Sequence, residues 1–535
     1  MRQYIDIRMM ILVLLLFVAG QGSARIYTVR TTSEINKTWQ AGDTLVIPVG
    51  TYTNLNLTIK GTGSSKKPIV LKAQHAGKTI MTGQSRLTIS GAYIEASGLL
   101  FTGDYKGSTA ILEFASSSHH CRMTEMSIES YNTSDKTKDY KWVSLRGHHN
   151  RVDYCHFENK TNAGTLLVVW LESGVEACHQ IDHNRFYRRV ANLDENGKEI
   201  NAQEIIRIGD SKTSMQYASC VVESNLFEEC NGEMEIISNK SCGNIYRNNT
   251  FMSCVGTLTL RHGNDCLVDG NFFFGNGVKN TGGVRIIGED HTVINNYFED
   301  LMGNNYRAGL CIVRGKKDSE LNEYFQVKNA EVSNNTFVNC KEAFCVNYHS
   351  SSDCTLPPLN TIIENNHVYN TSTSNRNIYL AETASGVTWR NNIMNKGGYK
   401  DISLSAPAVI KGEDAKMFLS NTNIPIYEPQ SGTALVDYTT VLPAVVVTDV
   451  MGRERPKQKL PGCSEIEGAA TRIIPDANST GPRWKRGIDD THTGGVELYP
   501  SVECTKQIMQ GHVVIMGQGK FYTLSGQVIK TTNEY

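Results

Sequence analysis

One short motif returns along most of this chain and limits what it can fold into. One or two asparagines are followed, one to two positions later, by an aromatic or aliphatic residue. The motif appears at Asn184-Arg185-Phe186, Asn225-Leu226-Phe227, Asn249-Thr250-Phe251 and Asn271-Phe272-Phe273. It continues at Asn296-Tyr297-Phe298, Asn335-Thr336-Phe337, Asn366-His367-Val368 and Asn392-Ile393-Met394. From Phe227 the steps are 24, 22 and 25 residues, then 39, 31 and 26. Cys155-His156-Phe157 and Leu100-Phe101 read as earlier members. A period in the low twenties with longer insertions is the signature of a parallel β-solenoid, in which each repeat buries its apolar face only against its neighbours. The asparagines are expected to be structural, since Asn tolerates left-handed turns and its amide can bond along a stack.

Between the motifs lie strand-like segments: Glu233 to Ile237, Thr257 to Arg261, Gly283 to Ile287 and Gly309 to Val313. Read at offsets of 24, 26 and 26, they place Met234, Leu258, Val284 and Leu310 in one inward column. Ile236, Leu260, Ile286 and Ile312 form a second. Opposite parity sends Glu233, Glu235, Thr259, Arg261 and Arg285 outward. Rungs of a parallel sheet are about 4.8 Å apart. Arg261 is therefore expected one rung from the two glutamates and Arg285 two rungs away. Two carboxylates on one face make half of a cation site, with Lys240 seven residues after Glu233 and His262 beside Arg261. An ordinary salt-bridged surface would have the same composition.

The bulk numbers exclude some partners. The chain has 535 residues and a formal net charge of -1, so no global field steers it toward nucleic acid or an anionic membrane. A polyanion would have to be met by a local basic cleft. Arg2 and Arg8, the apolar run Met9 to Ala19 and the small residues Gly20 to Ala24 read as a signal peptide cut before Arg25. The mature chain is then exported, periplasmic or secreted, with no membrane span expected. The 14 cysteines contain no CxxC pair, and Cys230, Cys242, Cys254 and Cys266 recur every twelve residues. They are expected as small buried hydrophobes rather than zinc ligands. Residues 25–400 form the solenoid, opened by a helical cap around Thr32 to Trp39; residues 401–490 form a C-terminal cap or returning arm, and residues 491–535 a small β appendix.

A groove with a cation site, a Lys and two Arg suits an acidic polysaccharide. β-Elimination of a uronate needs its carboxylate neutralised, a base for the proton on C5 and help for the leaving 4-oxygen. A hard divalent cation does the first, and a Lys crowded by positive charge can serve as the base.

Four segments then resemble polysaccharide lyase family six: Asn201 to Gly209, Asn231 to Ser241, Leu258 to Gly263 and Gly282 to Glu289. That family contains alginate lyases and the dermatan-cleaving chondroitinase B, on a right-handed parallel β-helix. The resemblance covers roughly residues 27 to 400. It implies calcium held by Asn201, Glu233 and Glu235, Lys240 as catalytic base, and Arg261 in the position assigned as acid. Guanidinium hardly deprotonates, so Arg261 is expected to stabilise the enolate while His262 or a water protonates the leaving oxygen. Arg285 matches a binder of the substrate carboxylate; a salt bridge to Glu235 or Glu289 is its other reading. The segments Arg207 to Ser211 and Leu260 to Asn264 are similar to those of the alginate lyases, and no extra basic cluster for sulfate stands out. The remaining readings are a chondroitin or dermatan lyase with the same machinery, a β-helical glycoside hydrolase, and a non-catalytic glycan-binding solenoid or adhesin.

Overall fold

The structure is a computed structural model. It describes residues 25–488 apart from 198, 412–416, 430–447, 456–459 and 466–467, together with the strands Thr505–Met509, His512–Gly517, Lys520–Tyr522 and Val528–Ile529. The segment read as a signal peptide lies outside the described residues. No helix among them is long and apolar enough to cross a membrane.

Three parallel sheets of 14 strands each run the length of a right-handed β-helix, as the repeat predicted. Each turn contributes one strand to each sheet, so residues two dozen apart in sequence become neighbours across one rung. Phe157, Phe186, Phe227, Phe251, Phe273, Phe298 and Phe337 stack down the core, with successive ring centroids 4.5–5.3 Å apart. No disulfide joins one described cysteine to another, and all but Cys178 are buried. At the start of the chain the helical element is one turn, Thr32–Ile35, whose Ile35 and the following Trp39 join the core.

The paired asparagines divide two tasks. The first residue of each pair turns the corner in the left-handed region, as at Asn248, Asn295, Asn334, Asn365 and Asn391. The second points inward and builds a ladder. Asn271 Nδ2 donates to Asn296 Oδ1 (2.9 Å) and to the Tyr246 carbonyl (2.9 Å). Its own Oδ1 accepts from the backbone N–H of Asn249 (3.0 Å) and from Asn249 Nδ2 (2.9 Å). The same pattern links Asn184, Asn225, Asn249, Asn271, Asn296, Asn335, Asn366 and Asn392. These buried amides satisfy corner backbone groups that no sheet ladder reaches.

The expected columns hold for Leu258, Val284 and Leu310 and for Leu260, Ile286 and Ile312. They fail in the strand Glu235–Lys240. There Ile237, not Met234, pairs with Leu258, and Asn239, not Ile236, pairs with Leu260. A bulge between Glu235 and Ile237 inserts an extra residue, which buries both Ile236 and Ile237. Glu233 and Met234 lie in a bend before the strand rather than within it.

Beyond the solenoid, residues 448–488 run back along its outside. Arg455 Nη2 donates to Asn295 Oδ1 (2.7 Å), the Cys463 N–H to Thr336 Oγ1 (2.9 Å), and Arg483 Nε to Glu125 Oε1 (2.9 Å). The strands between Thr505 and Ile529 form a separate four-stranded antiparallel sheet. Replacing Asn271 with Ala orphans the Asn249 amide and the Tyr246 carbonyl in the core. Thermal unfolding is expected to register a loss on the order of 3 kcal/mol, with the β-rich circular dichroism spectrum retained; an unchanged midpoint would remove the ladder from the account of stability.

Candidate active site

The site forms where three neighbouring strands of one sheet, Glu235–Lys240, Thr257–His262 and Val284–Ile286, present their outer faces. Ser238, Thr259 and Arg285 are direct neighbours on that face. Glu235 opens the first strand and lies between two guanidiniums. Arg285 Nη2 ion-pairs with Glu235 Oε1, and Arg261 Nε lies 3.6 Å from the same oxygen. Ser238 Oγ donates to Glu235 Oε2 (2.5 Å). Burial pushes the Glu235 carboxyl up, but Arg285, Arg261 and the Ser238 hydroxyl outweigh it and hold the group below the ordinary carboxylate range.

Glu233 is the opposite case. It is buried, and desolvation followed by repulsion from Glu204 pushes it up to about 8, against the N–H of Gln203 that donates to its Oε2 (3.0 Å). Glu204 is itself buried and accepts from Thr165 Oγ1 (2.5 Å). Two carboxyl groups thus crowd one buried patch, and Glu233 resists ionisation there. Asn201 is exposed in the loop just before Gln203, and no hydrogen bond draws its amide to either glutamate. Among the described residues, no three His, Cys, Asp or Glu side chains already converge on a common metal position. The donor chemistry nevertheless fits a hard divalent cation: the available ligands are all oxygens, and the uncompensated carboxylate is the one beside them.

Lys240 ends its strand and pairs across the rung with His262. Arg261 is held on every side. Its Nη1 donates to the Glu323 carbonyl (2.7 Å) and approaches His262 Nε2 (2.9 Å), its Nη2 reaches the Asn322 carbonyl (3.3 Å), and its guanidinium lies 4.3 Å from the Tyr324 ring centroid. Because the guanidinium can only donate, His262 Nε2 accepts. Desolvation, then Arg261 and Lys240, push the buried His262 ring down to about 3. It therefore stands neutral beside Arg261, with Nε2 as an acceptor. Arg285 is only 2% exposed, contacts Met234 Sδ (3.1 Å) and lies 5.4 Å from the Tyr306 ring centroid. Here it is the counter-charge of Glu235, the second of its two expected readings.

The loops at 316–324 and 350–358 meet, as Lys316 ion-pairs with Asp353 (3.3 Å) and Gly315 bridges Leu356. Between the 319–325 stretch and the short turn Ser211–Thr213 lies a cleft of about 980 Å³, lined by Lys212, Met215, Leu321, Asn322 and Phe325. It borders the site directly, because Gly209 pairs with Lys240 and Asn322 caps Arg261. Glu204, Tyr306, Tyr324 and the carbonyls of Asn322 and Glu323 were not anticipated. Glu204 comes from the preceding rung, and the others from the long 39-residue step before Phe337, which is their one sign in the sequence.

The fold and its charged patch leave the class open, and comparison with known proteins makes it specific. The family model for chondroitinase B matches residues 27–432. The chain belongs to that family, polysaccharide lyase family six. It is 30% identical to the family-six alginate lyase AlyGC, with a TM-score of 0.71, over 91% of this chain and 60% of AlyGC. It is 31% identical to a mannuronic acid specific family 6 lyase from human gut microbiota, with a TM-score of 0.61, over 70% of this chain and 87% of the other. A family-six polysaccharide lyase from Pseudopedobacter saltans is 27% identical, with a TM-score of 0.60, over 70% and 92%. The chain thus spans less than two thirds of AlyGC. A search of curated proteins gave no match.

The neutral state of His262 has a measurable signature. The unfolded chain takes up a proton on this ring near pH 6.5, whereas the folded chain refuses it until about pH 3. Folding stability therefore falls as pH is lowered through that window. Nuclear magnetic resonance titration is expected to show no His262 transition near pH 6.5; a midpoint there would return His262 to the candidates for proton donor.

Proposed function

We propose that this chain is an exported, periplasmic or secreted lyase that cleaves alginate by β-elimination, leaving a 4,5-unsaturated uronate. The observation that carries the reading is the placement of Lys240 at a strand end, one rung from a fully restrained Arg261 and near the crowded Glu233 and Glu204 carboxyls. The names of its 30% and 31% identical relatives, an alginate lyase and a mannuronic acid specific lyase, support the substrate.

In this mechanism Asn201, Glu233 and Glu235 would hold calcium, which supplies charge neutralisation at the substrate carboxylate and so acidifies the proton on C5. The Lys240 amine takes that proton, C4 and C5 become doubly bonded, and the bond from C4 to the glycosidic oxygen breaks with its electron pair. Arg261 stands positively charged where negative charge develops on the carboxylate side, already oriented by two carbonyls and His262. The leaving oxygen takes its proton from water, since His262 is neutral and its Nε2 is committed to Arg261.

A second reading keeps the machinery and changes the substrate to chondroitin or dermatan sulfate, favoured by the chondroitinase B family model. Alginate, polymannuronate, polyguluronate and dermatan sulfate, each with calcium or chelator, separate the two by the ultraviolet absorbance of the unsaturated product. The expected result is a rise on an alginate substrate, lost with chelator and reduced by at least about 10³-fold in folded Lys240→Ala. A rise confined to dermatan sulfate would move the substrate, and no rise on any of the four would favour a glycan-binding protein.

A further inference from the structure

Seven corners of the solenoid repeat one arrangement: a left-handed residue, then a side chain turned into the core. The left-handed residues are Ser130, Asn159, Arg188, Glu229, Ser253, Asp300 and Asn339. The inward residues after them are Tyr131, Lys160, Arg189, Cys230, Cys254, Leu301 and Cys340, all buried. Five are apolar or aromatic, but Lys160 and Arg189 carry basic groups into a core column. Burying a charge without an ionic partner is costly. Neither forms an ion pair among the described residues; both bond to backbone carbonyls instead. Lys160 Nζ donates to the Asn162 (2.9 Å) and Ala163 (2.8 Å) carbonyls. Arg189 Nη1 and Nη2 donate to the carbonyls of Lys160 (3.3 Å), Asn162 (3.2 Å) and Gly164 (2.9 Å), and its Nε to the carbonyl of Gln203 (2.9 Å).

Gln203 is the junction. Fully buried, it gives its N–H to Glu233 Oε2 (3.0 Å) and its carbonyl to Arg189. Its side chain closes the base of the loop that carries Asn201: Oε1 accepts from Asn192 N–H (2.9 Å), while Nε2 donates to the carbonyls of Asn192 (3.1 Å) and Ile200 (2.6 Å). Leu193 and Glu199 bridge within that loop, and Glu199 reaches Arg307 (3.6 Å). Gly232 makes the approach possible. A Cβ there would sit 2.4 Å from the Gln203 carbonyl oxygen and 2.8 Å from Arg189 Nε. One buried residue thus holds a carboxylate through its backbone N–H and, through its side chain, the loop that bears Asn201.

We propose that Gln203, anchored from below by Arg189, is the positioning residue of a divalent-cation site made by Asn201, Glu233 and Glu235. The proposal rests on the cation reading of those three ligands. Partners of metal ligands typically set affinity by about 10–100-fold. Arg189 fixes the height of the Gln203 backbone, and Gly232 leaves room for that bond.

The test titrates metal-free wild type, Gln203→Ala and Gly232→Ala with calcium chloride by calorimetry, and follows hydrogen exchange of residues 192–203 in the same metal-free samples. Gly232→Ala keeps every hydrogen-bonding group and serves if Gln203→Ala does not fold. Both variants are expected to bind calcium about 10–100-fold more weakly, to exchange faster at the Asn192 and Gln203 amides, and to regain turnover as calcium is raised. Wild-type affinity in a folded variant, or unchanged exchange at those amides, overturns the proposal. If wild type itself binds no calcium, the cation reading fails and takes the proposal with it. The exchange data then still report separately on whether Gln203 holds the loop.

Discussion

The whole molecule depends on keeping successive turns of chain in parallel register. A parallel strand pair carries no tight turn to fix its alignment, and a slip of one residue would exchange inner and outer faces. Here the alignment is set at the corners. A left-handed residue turns the chain, and the next asparagine bonds both to the neighbouring asparagine and to backbone groups of adjacent rungs. Stacked phenylalanine rings two residues further on repeat the same spacing in the apolar core. With that frame rigid, Glu235, Arg261 and Arg285 can be contributed by three different turns and still meet at one carboxylate oxygen.

The site built on this frame sorts its charges by neighbours rather than by residue type. Glu235, flanked by two guanidiniums, is held firmly ionised, while Glu233, two residues earlier, resists ionisation because burial desolvates it and Glu204 repels it. Arg261 is fixed by backbone carbonyls, a neutral imidazole and an aromatic ring, so it meets a developing negative charge without reorganising. Beneath the carboxylates lie two basic side chains that bond to backbone carbonyls and form no ion pair among the described residues. That is an expensive arrangement for a core column, and it occurs at the turns next to Gln203 and Glu233.

Much of this could be read from the sequence, and the exceptions have physical causes. The Asn-x-Phe period gave the solenoid, its inward columns and the meeting of Glu235, Arg261 and Arg285, because in a stacked fold a repeat number is also a position in space. The bulge after Glu235 was not legible: Ile236 and Ile237 are both apolar, and either could have taken the column position that Ile237 fills. Tyr306, Tyr324, Asn322 and Glu323 lie in insertions, where the period says only that chain is present. The neutral state of His262 follows from its burial and from the Arg261 beside it, and parity alone could not settle that. Gln203 and Arg189 carry no pairing signal in the repeat, and only the fold brings one against the other.

The claim at the centre of this account is that the chain breaks its substrate by elimination and not by hydrolysis. Digesting alginate with the purified protein in water enriched in heavy oxygen, and weighing the oligosaccharide products by mass spectrometry, addresses it directly. Elimination adds no water across the broken bond, so the new unsaturated ends should carry no label. One heavy oxygen per cut, with saturated uronates on both sides of it, would show hydrolysis and would contradict the roles given to Lys240 and Arg261.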